Sequence, residues 1–127
     1  MTKSAISTEQ APRAIGPYSQ GIVAEGRMIF CSGQIPLDPS TQQLVSSDIQ
    51  TETNRALDNL GAVLAAAGAS FEDVVRTTIF LTDLSHFATV NEVYGKRFTV
   101  AAPARVTVGV SQLPKGARVE IDAIAVL

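Results

Sequence analysis

The sequence predicts an α+β fold, a mixed β-sheet with two helices packed on one of its faces. Two segments repeat apolar residues at the helical period of 3.6, and each lies between β-branched runs short enough to be single strands. Helices separated by single strands imply crossover connections, whose right-handedness puts both helices on the same side of the sheet. The chain of 127 residues is the size of one domain, expected to span residues 1–127, and its 46% hydrophobic content suffices for a single core.

The elements follow in order. Ile22-Val23-Ala24 and Met28-Ile29-Phe30-Cys31 flank the turn-like Glu25-Gly26 and predict a hairpin. Pro36, Asp38 and Pro39 then interrupt regular structure, and Ser47-Asp48-Ile49-Gln50 reads as a capping box that starts a helix near Asp48. Its apolar stripe is Ile49, Ala56, Leu57, Leu60, Val63, Leu64 and Ala67, and Gly68 stands where a left-handed C-terminal residue is wanted. Residues 74–82 are apolar or β-branched on both alternating sets, as in a central strand covered on both sides. A second helix is predicted over residues 85–98, with Phe87, Val90, Asn91, Tyr94 and Phe98 on one stripe. Two further strands, residues 105–110 and 118–126, are separated by the turn Leu113-Pro114-Lys115-Gly116, so the order reads ββαβαββ.

If Val106, Val108, Val119 and Ile121 point to the helices, the helix-free face carries Arg105, Thr107 and Gly109 from one strand, and Arg118, Glu120, Asp122, Ile124 and Val126 from the other. A monomer would leave the aliphatic part of that face wet, which predicts an oligomer. Arg105 and Glu120 would then share a face. Spacing alone favours a structural salt bridge or two solvated residues; the sharper alternative is a site for a small anion, with the guanidinium as a carboxylate fork and the glutamate as a proton acceptor.

Composition excludes several classes. The net charge is −2 and the ten Lys and Arg are dispersed, so neither nucleic acid nor an anionic membrane is an expected partner. No leader-like N-terminus and no stretch of about 18 apolar residues occurs, which points to a cytoplasmic protein. Cys31 is the single cysteine, so no intrachain disulfide and no Cys-rich metal site is expected. Walker A, GxGxxG and HExxH patterns are absent, and neither a nucleotide cofactor nor a metal is implied. Taken singly, Tyr18 reads as loop packing, Asn91 as a satisfied helix residue, Ser32-Gly33-Gln34 as a strand end open to close approach, Cys31 as a small core residue and His86 as solvated.

Five ordered motifs together say more: Ala14-Ile15-Gly16-Pro17-Tyr18-Ser19-Gln20-Gly21, Ser32-Gly33-Gln34-Ile35-Pro36, Val90-Asn91-Glu92-Val93-Tyr94, Pro103-Ala104-Arg105, and Leu113-Pro114-Lys115 leading into Glu120-Ile121. In these the chain resembles the reactive intermediate deaminase family, formerly described as the translation-inhibitor or endoribonuclease L-PSP family. The resemblance implies a chorismate-mutase-like, ferredoxin-type subunit, a homotrimer whose sheets form a central barrel, and active sites at the subunit boundaries. It also implies hydrolysis of 2-imino and 2-amino-2-enoic acids to 2-oxo acids and ammonia without a cofactor, protecting against reactive enamines released by amino-acid dehydratases.

Carried over by position, the resemblance makes Arg105 the carboxylate anchor and Glu120 the acid held near the attacking water. Tyr18, Ser32, Gly33 and Asn91 line the cleft, with Tyr18 closing the site or contacting nitrogen. Where many bacterial members have cysteine, this chain has Thr107, whose hydroxyl cannot supply a thiolate and is expected to hydrogen-bond substrate instead. The rival readings are a ribonuclease or translation inhibitor, which the charge argues against, and a non-enzymatic trimer that binds small acids.

Overall fold

The computed structural model describes residues 3–127. Its elements are β1 (Lys3–Ile6), β2 (Gly21–Ala24), β3 (Met28–Gln34), α1 (Ile49–Ala66), β4 (Val74–Leu81), α2 (Phe87–Gly95), β5 (Ala104–Gly109) and β6 (Val119–Val126), with short 3-10 turns before β4, α2 and β6. The main sheet runs β3-β6-β4-β5. β4 and β5 are parallel, while β6 is antiparallel to both of its neighbours. No helix among the described residues is long and apolar enough to cross a membrane.

The predicted hairpin does not form. β2 pairs instead with β1, whose Lys3-Ser4-Ala5-Ile6 has no apolar run to mark it in the sequence, and β3 pairs with β6. The cause is the turn at Gly26, which adopts φ 138° against the C-terminal carbonyl of Leu127. Beyond it, Arg27 and Leu127 exchange two backbone hydrogen bonds of 2.8 Å and start the ladder between β3 and the end of the chain.

Helix α1 starts where predicted, with a cap shifted by one residue. The Asp48 carboxylate, not a Ser47 hydroxyl, accepts from the Thr51 N–H at 2.7 Å, and Glu52 takes the Ser47 N–H at 3.0 Å. Glu52 is only 3% exposed and receives Arg118 through Nε at 3.1 Å and Nη2 at 2.7 Å. Arg118 therefore reaches the N-terminus of α1 and does not belong to the helix-free face, correcting the alternation that placed it there. Gly68, at φ 81°, lies beyond the C-terminal end of α1 as its position predicts.

The buried stripe of α1, with Ala56, Leu57, Leu60 and Leu64, packs on β6 and β3 and shares one core with Val119, Ile121, Ala123 and Ala125 of β6 and Ile79 and Leu81 of β4. Helix α2 is shorter than its stripe. Asp83 accepts from the Ser85 N–H at 2.9 Å and opens a 3-10 turn over Leu84–His86, so the α-helix begins at Phe87. Phe98, past its end, remains in the core and stacks on Tyr94 with ring centroids 4.3 Å apart.

Both helices cover one face, and the pleat decides what lies on the other. Thr77 of β4 stands between Arg105 and Ala123 in register, and its hydroxyl meets the Tyr94 hydroxyl of α2, so that row faces the helices. The row of Val108, Phe80 and Glu120 faces away. Val106 and Val108 thus point to the open face and Arg105 to the helices, the reverse of the predicted parity in β5, whereas β6 has the predicted parity at Val119 and Ile121. The misreading has a physical source: the open face is apolar too, with Phe30 70% and Met28 58% exposed there, so valine did not mark the core. Arg76 of β4 is also exposed, so this central strand is covered on one side only within the chain.

The Glu52–Arg118 pair predicts a stability effect. Arg118→Met leaves a buried carboxylate without its cation and is expected to cost about 2 kcal/mol in urea unfolding, part of which returns in the Arg118→Met/Glu52→Gln double variant. An unchanged midpoint in the single variant would show the pair to be neutral.

Candidate active site

Between β5, α2 and the loop before β2 lies a cavity of about 260 Å³ lined by Ile15, Gly16, Tyr18, Phe87, Asn91, Arg105 and Thr107. Residues two apart on a strand share a face, which brings Arg105 and Thr107 together; residues four apart on a helix do the same for Phe87 and Asn91. The loop is fixed from both ends. The Tyr18 N–H donates to the Gly16 carbonyl at 2.8 Å, and the Ser19 N–H to that of Pro103 at 3.2 Å. The Gln20 carboxamide binds the carbonyls of Thr8, Ala11 and Pro12 and accepts the Thr8 N–H. A Cβ on Gly95 would stand 3.3 Å from Pro17, so glycine there lets the loop lie against α2.

Arg105 is the cation of this cavity. Its Nη1 donates to Asn91 Oδ1 at 2.6 Å, and its guanidinium carbon lies 5.1 Å from the ring centre of Tyr94, 5.4 Å from Tyr18 and 5.8 Å from Phe87. No carboxylate joins it: among the described residues the close arginine–carboxylate pairs are Arg97 with Asp58 and Arg118 with Glu52. Burial pushes the Arg105 pKa below its ordinary value, against the opposing influence of Tyr94 and Tyr18, yet a guanidinium remains charged at any physiological pH. Burial pushes the Tyr94 phenol up to about 12, so the hydroxyl stays neutral and supplies no counter-charge. Beside this cation the Thr107 hydroxyl is buried with no hydrogen-bond partner. A buried orphan hydroxyl is costly, and one that lines a cavity next to an uncompensated cation fits a ligand that brings the missing acceptor.

Glu120 belongs to a second group. A Cβ on Gly33 would stand 2.0 Å from Glu120 Oε2, so the carboxylate rests against bare backbone in the bulge between Cys31 and Gln34, with exposed Ser32 beside it. Burial, followed by the neighbouring Asp122, raises the Glu120 pKa above the ordinary carboxylate value. This moves the group toward the working range of a proton acceptor.

The residues singled out from the sequence therefore divide. Tyr18, Asn91, Arg105 and Thr107 come together; Ser32, Gly33 and Glu120 come together on the other side of the sheet. The expected sharing of one face by Arg105 and Glu120 fails through the parity of β5. Three wall residues escaped the sequence reading as site residues: Phe87, counted only as core stripe, and Ile15 and Gly16, whose sole signal was their place in the loop motif. Cys31 is buried, with its thiol pKa raised by that burial and then by Asp122, and His86 lies near Asp83 at 4.0 Å; neither lines the cavity. Among the described residues no group of three or more His, Cys, Asp or Glu could hold a metal ion.

Comparison with known proteins decides the family. A sequence model described as "Endoribonuclease L-PSP" matches residues 8–127. The chain belongs to the endoribonuclease L-PSP family. Within it, Protein DfrA of Myxococcus xanthus is 61% identical, the match covering 99% of this chain and 97% of that protein. The human 2-iminobutanoate/2-iminopropanoate deaminase is 48% identical, with 99% and 91% covered. Among solved structures, the Rid-family protein YyfA of Yersinia pestis superposes with a TM-score of 0.77 at 48% identity, covering 98% of this chain and 99% of that one. The L-PSP family thus includes members named for an endoribonuclease and members named for imine deamination.

The contact of Glu120 with Gly33 is testable by itself. Real Cβ contacts essentially never fall below 3.0 Å, so Gly33→Ala is expected to move the Glu120 carboxylate by about 1 Å or more from its place 2.0 Å from that Cβ. The obstacle is the far end of a side chain, so the melting temperature is expected to change by only a few degrees. A crystal structure of the variant with the carboxylate in place would refute the contact.

Proposed function

We propose that the protein hydrolyses small 2-imino acids and their 2-amino-2-enoic tautomers, such as 2-iminopropanoate and 2-iminobutanoate, to 2-oxo acids and ammonia. It would thereby remove reactive enamines in the cytoplasm, working as a homotrimeric barrel with its sites at the subunit boundaries. The observation that carries the reading is Arg105, a half-buried cation with three aromatic neighbours, an amide and no carboxylate, facing a small cavity. A substrate carboxylate supplies the missing anion, and Thr107 Oγ1 the hydroxyl to meet it. The name borne by relatives such as the human protein supports the same substrate class.

The chemistry asks little of the protein. A protonated imine is an electrophile at C2; water adds there, Glu120 takes the proton as the C–O bond forms, and that proton passes to nitrogen. The C–N bond then breaks as Glu120 takes the remaining hydroxyl proton; ammonia leaves, and the 2-oxo acid remains. Tyr18 closes the cavity beside the anchor, Asn91 steadies the guanidinium, and Ser32 and Gly33 belong to the part of the site that holds Glu120. Because Glu120 and Arg105 lie on opposite faces, the carboxylate acting at one Arg105 comes from a second copy. The exposed Met28, Phe30 and Val106 give that copy an apolar surface to cover. The endoribonuclease name finds less support: the net charge is −2, and the aromatic-lined cavity of about 260 Å³ suits a small acid better than a polynucleotide.

The test is to add the purified protein to a serine or threonine dehydratase reaction, where faster release of 2-oxo acid is expected. Arg105→Lys keeps the charge and loses the planar fork, and should weaken substrate binding about ten- to hundredfold; Arg105→Ala should be worse. Parent-rate hydrolysis of 2-iminopropanoate by a folded Arg105→Ala variant would overturn the carboxylate anchor.

A further inference from the structure

We infer that Tyr94 is the positioning residue of this site: its ring, pinned at the hydroxyl and stacked on one face, holds the Arg105 guanidinium in the orientation that receives a carboxylate. The inference rests on Arg105 being that anchor. Three rings surround the guanidinium, and they differ in how firmly they are held. Phe87 is 40% exposed and Tyr18 sits in a loop, whereas Tyr94 is fully buried. The Tyr94 hydroxyl is fixed to Thr77 Oγ1 at 2.7 Å, and Thr77 is the register partner of Arg105 on the adjacent parallel strand. The strand that carries the cation is thus paired with the strand that pins the ring beneath it.

A face of the ring is held as well. Tyr94 stacks on Phe98 at 4.3 Å, and Phe98 meets Phe71 edge-on at 5.1 Å. Arg97 lies 5.8 Å over Phe71 and binds Asp58 of α1 at 2.8 Å. An aromatic column therefore runs from the site to α1. A guanidinium resting on it has fewer orientations to lose when a carboxylate docks, which lowers the ordering cost of binding. Without that ring, Arg105 keeps its charge but must be ordered by the ligand.

Binding of 2-oxobutanoate, a non-reacting carboxylate, is measured by calorimetry beside turnover of 2-iminopropanoate. Tyr94→Leu is expected to weaken binding and raise KM about tenfold, with kcat reduced less. Tyr94→Phe and Thr77→Val, which keep the ring and release its pinned end, should weaken binding about threefold. Leu64→Ala, a core change in α1 that lowers stability, is expected to leave both constants unaltered, which separates positioning from folding. If the parent protein does not bind 2-oxobutanoate, the anchor itself fails. If the parent binds and folded Tyr94→Leu binds equally well, the anchor stands and the positioning role is overturned. Should Tyr94→Leu not fold, parent-like binding by Thr77→Val overturns it.

Discussion

Strand β5 alternates Arg105 and Thr107 with Val106 and Val108, and the helices cover only one of the two faces of the sheet. Side-chain alternation along a strand allows no compromise between these facts. Arg105 and Thr107 go beneath α2, where aromatic rings and an amide surround the cation and no acid follows it; the valines go to the open face. On β6 the opposite parity sends Val119 and Ile121 into the core and Glu120 outward, against Gly33. Both halves of the chemistry arise from this one constraint, and it also separates them.

The separation has an electrostatic consequence. Had Glu120 shared the face of Arg105, the two would neutralise each other, and an incoming carboxylate would have to displace an internal one. Kept apart, the guanidinium remains uncompensated and the glutamate keeps a pKa raised by burial. In the proposed chemistry this leaves the cation free to bind substrate and the carboxylate free to accept a proton. Thr107 fits the same logic. A threonine hydroxyl contributes no thiolate; buried without a hydrogen-bond partner, it would in the proposed chemistry donate to the substrate carboxylate.

Much of the fold was legible in the sequence because it depends on periodicity. Most of the α1 stripe, the extents of β4, β5 and β6 and the placing of both helices on one face follow from apolar spacing; Val63 and Ala67, counted in that stripe, are exposed. The failures occur where periodicity is silent. Val106 and Val108 look like core because an open face awaiting cover is as apolar as a core. The partner of β3 depended on a contact between Gly26 and Leu127, a hundred residues apart, and local turn signals favoured the wrong neighbour. Arg118 was assigned by alternation one residue before its strand begins, where Glu52 had already claimed it. In the site, Tyr18, Asn91 and Arg105 were legible through their motifs; Phe87 was not, since a wall residue on a helix stripe has the same spacing as a core residue.

The central claim is that a working site takes Arg105 from one chain and Glu120 from another. The direct test co-assembles two inactive variants, Arg105→Ala and Glu120→Gln, after joint unfolding and refolding, and measures hydrolysis of 2-iminopropanoate. With random mixing, roughly a quarter of the shared sites unite an intact arginine with an intact glutamate, so activity should return to about that fraction of the parent level. A mixed assembly as inactive as either variant alone would contradict the shared site and place both residues' work within a single chain.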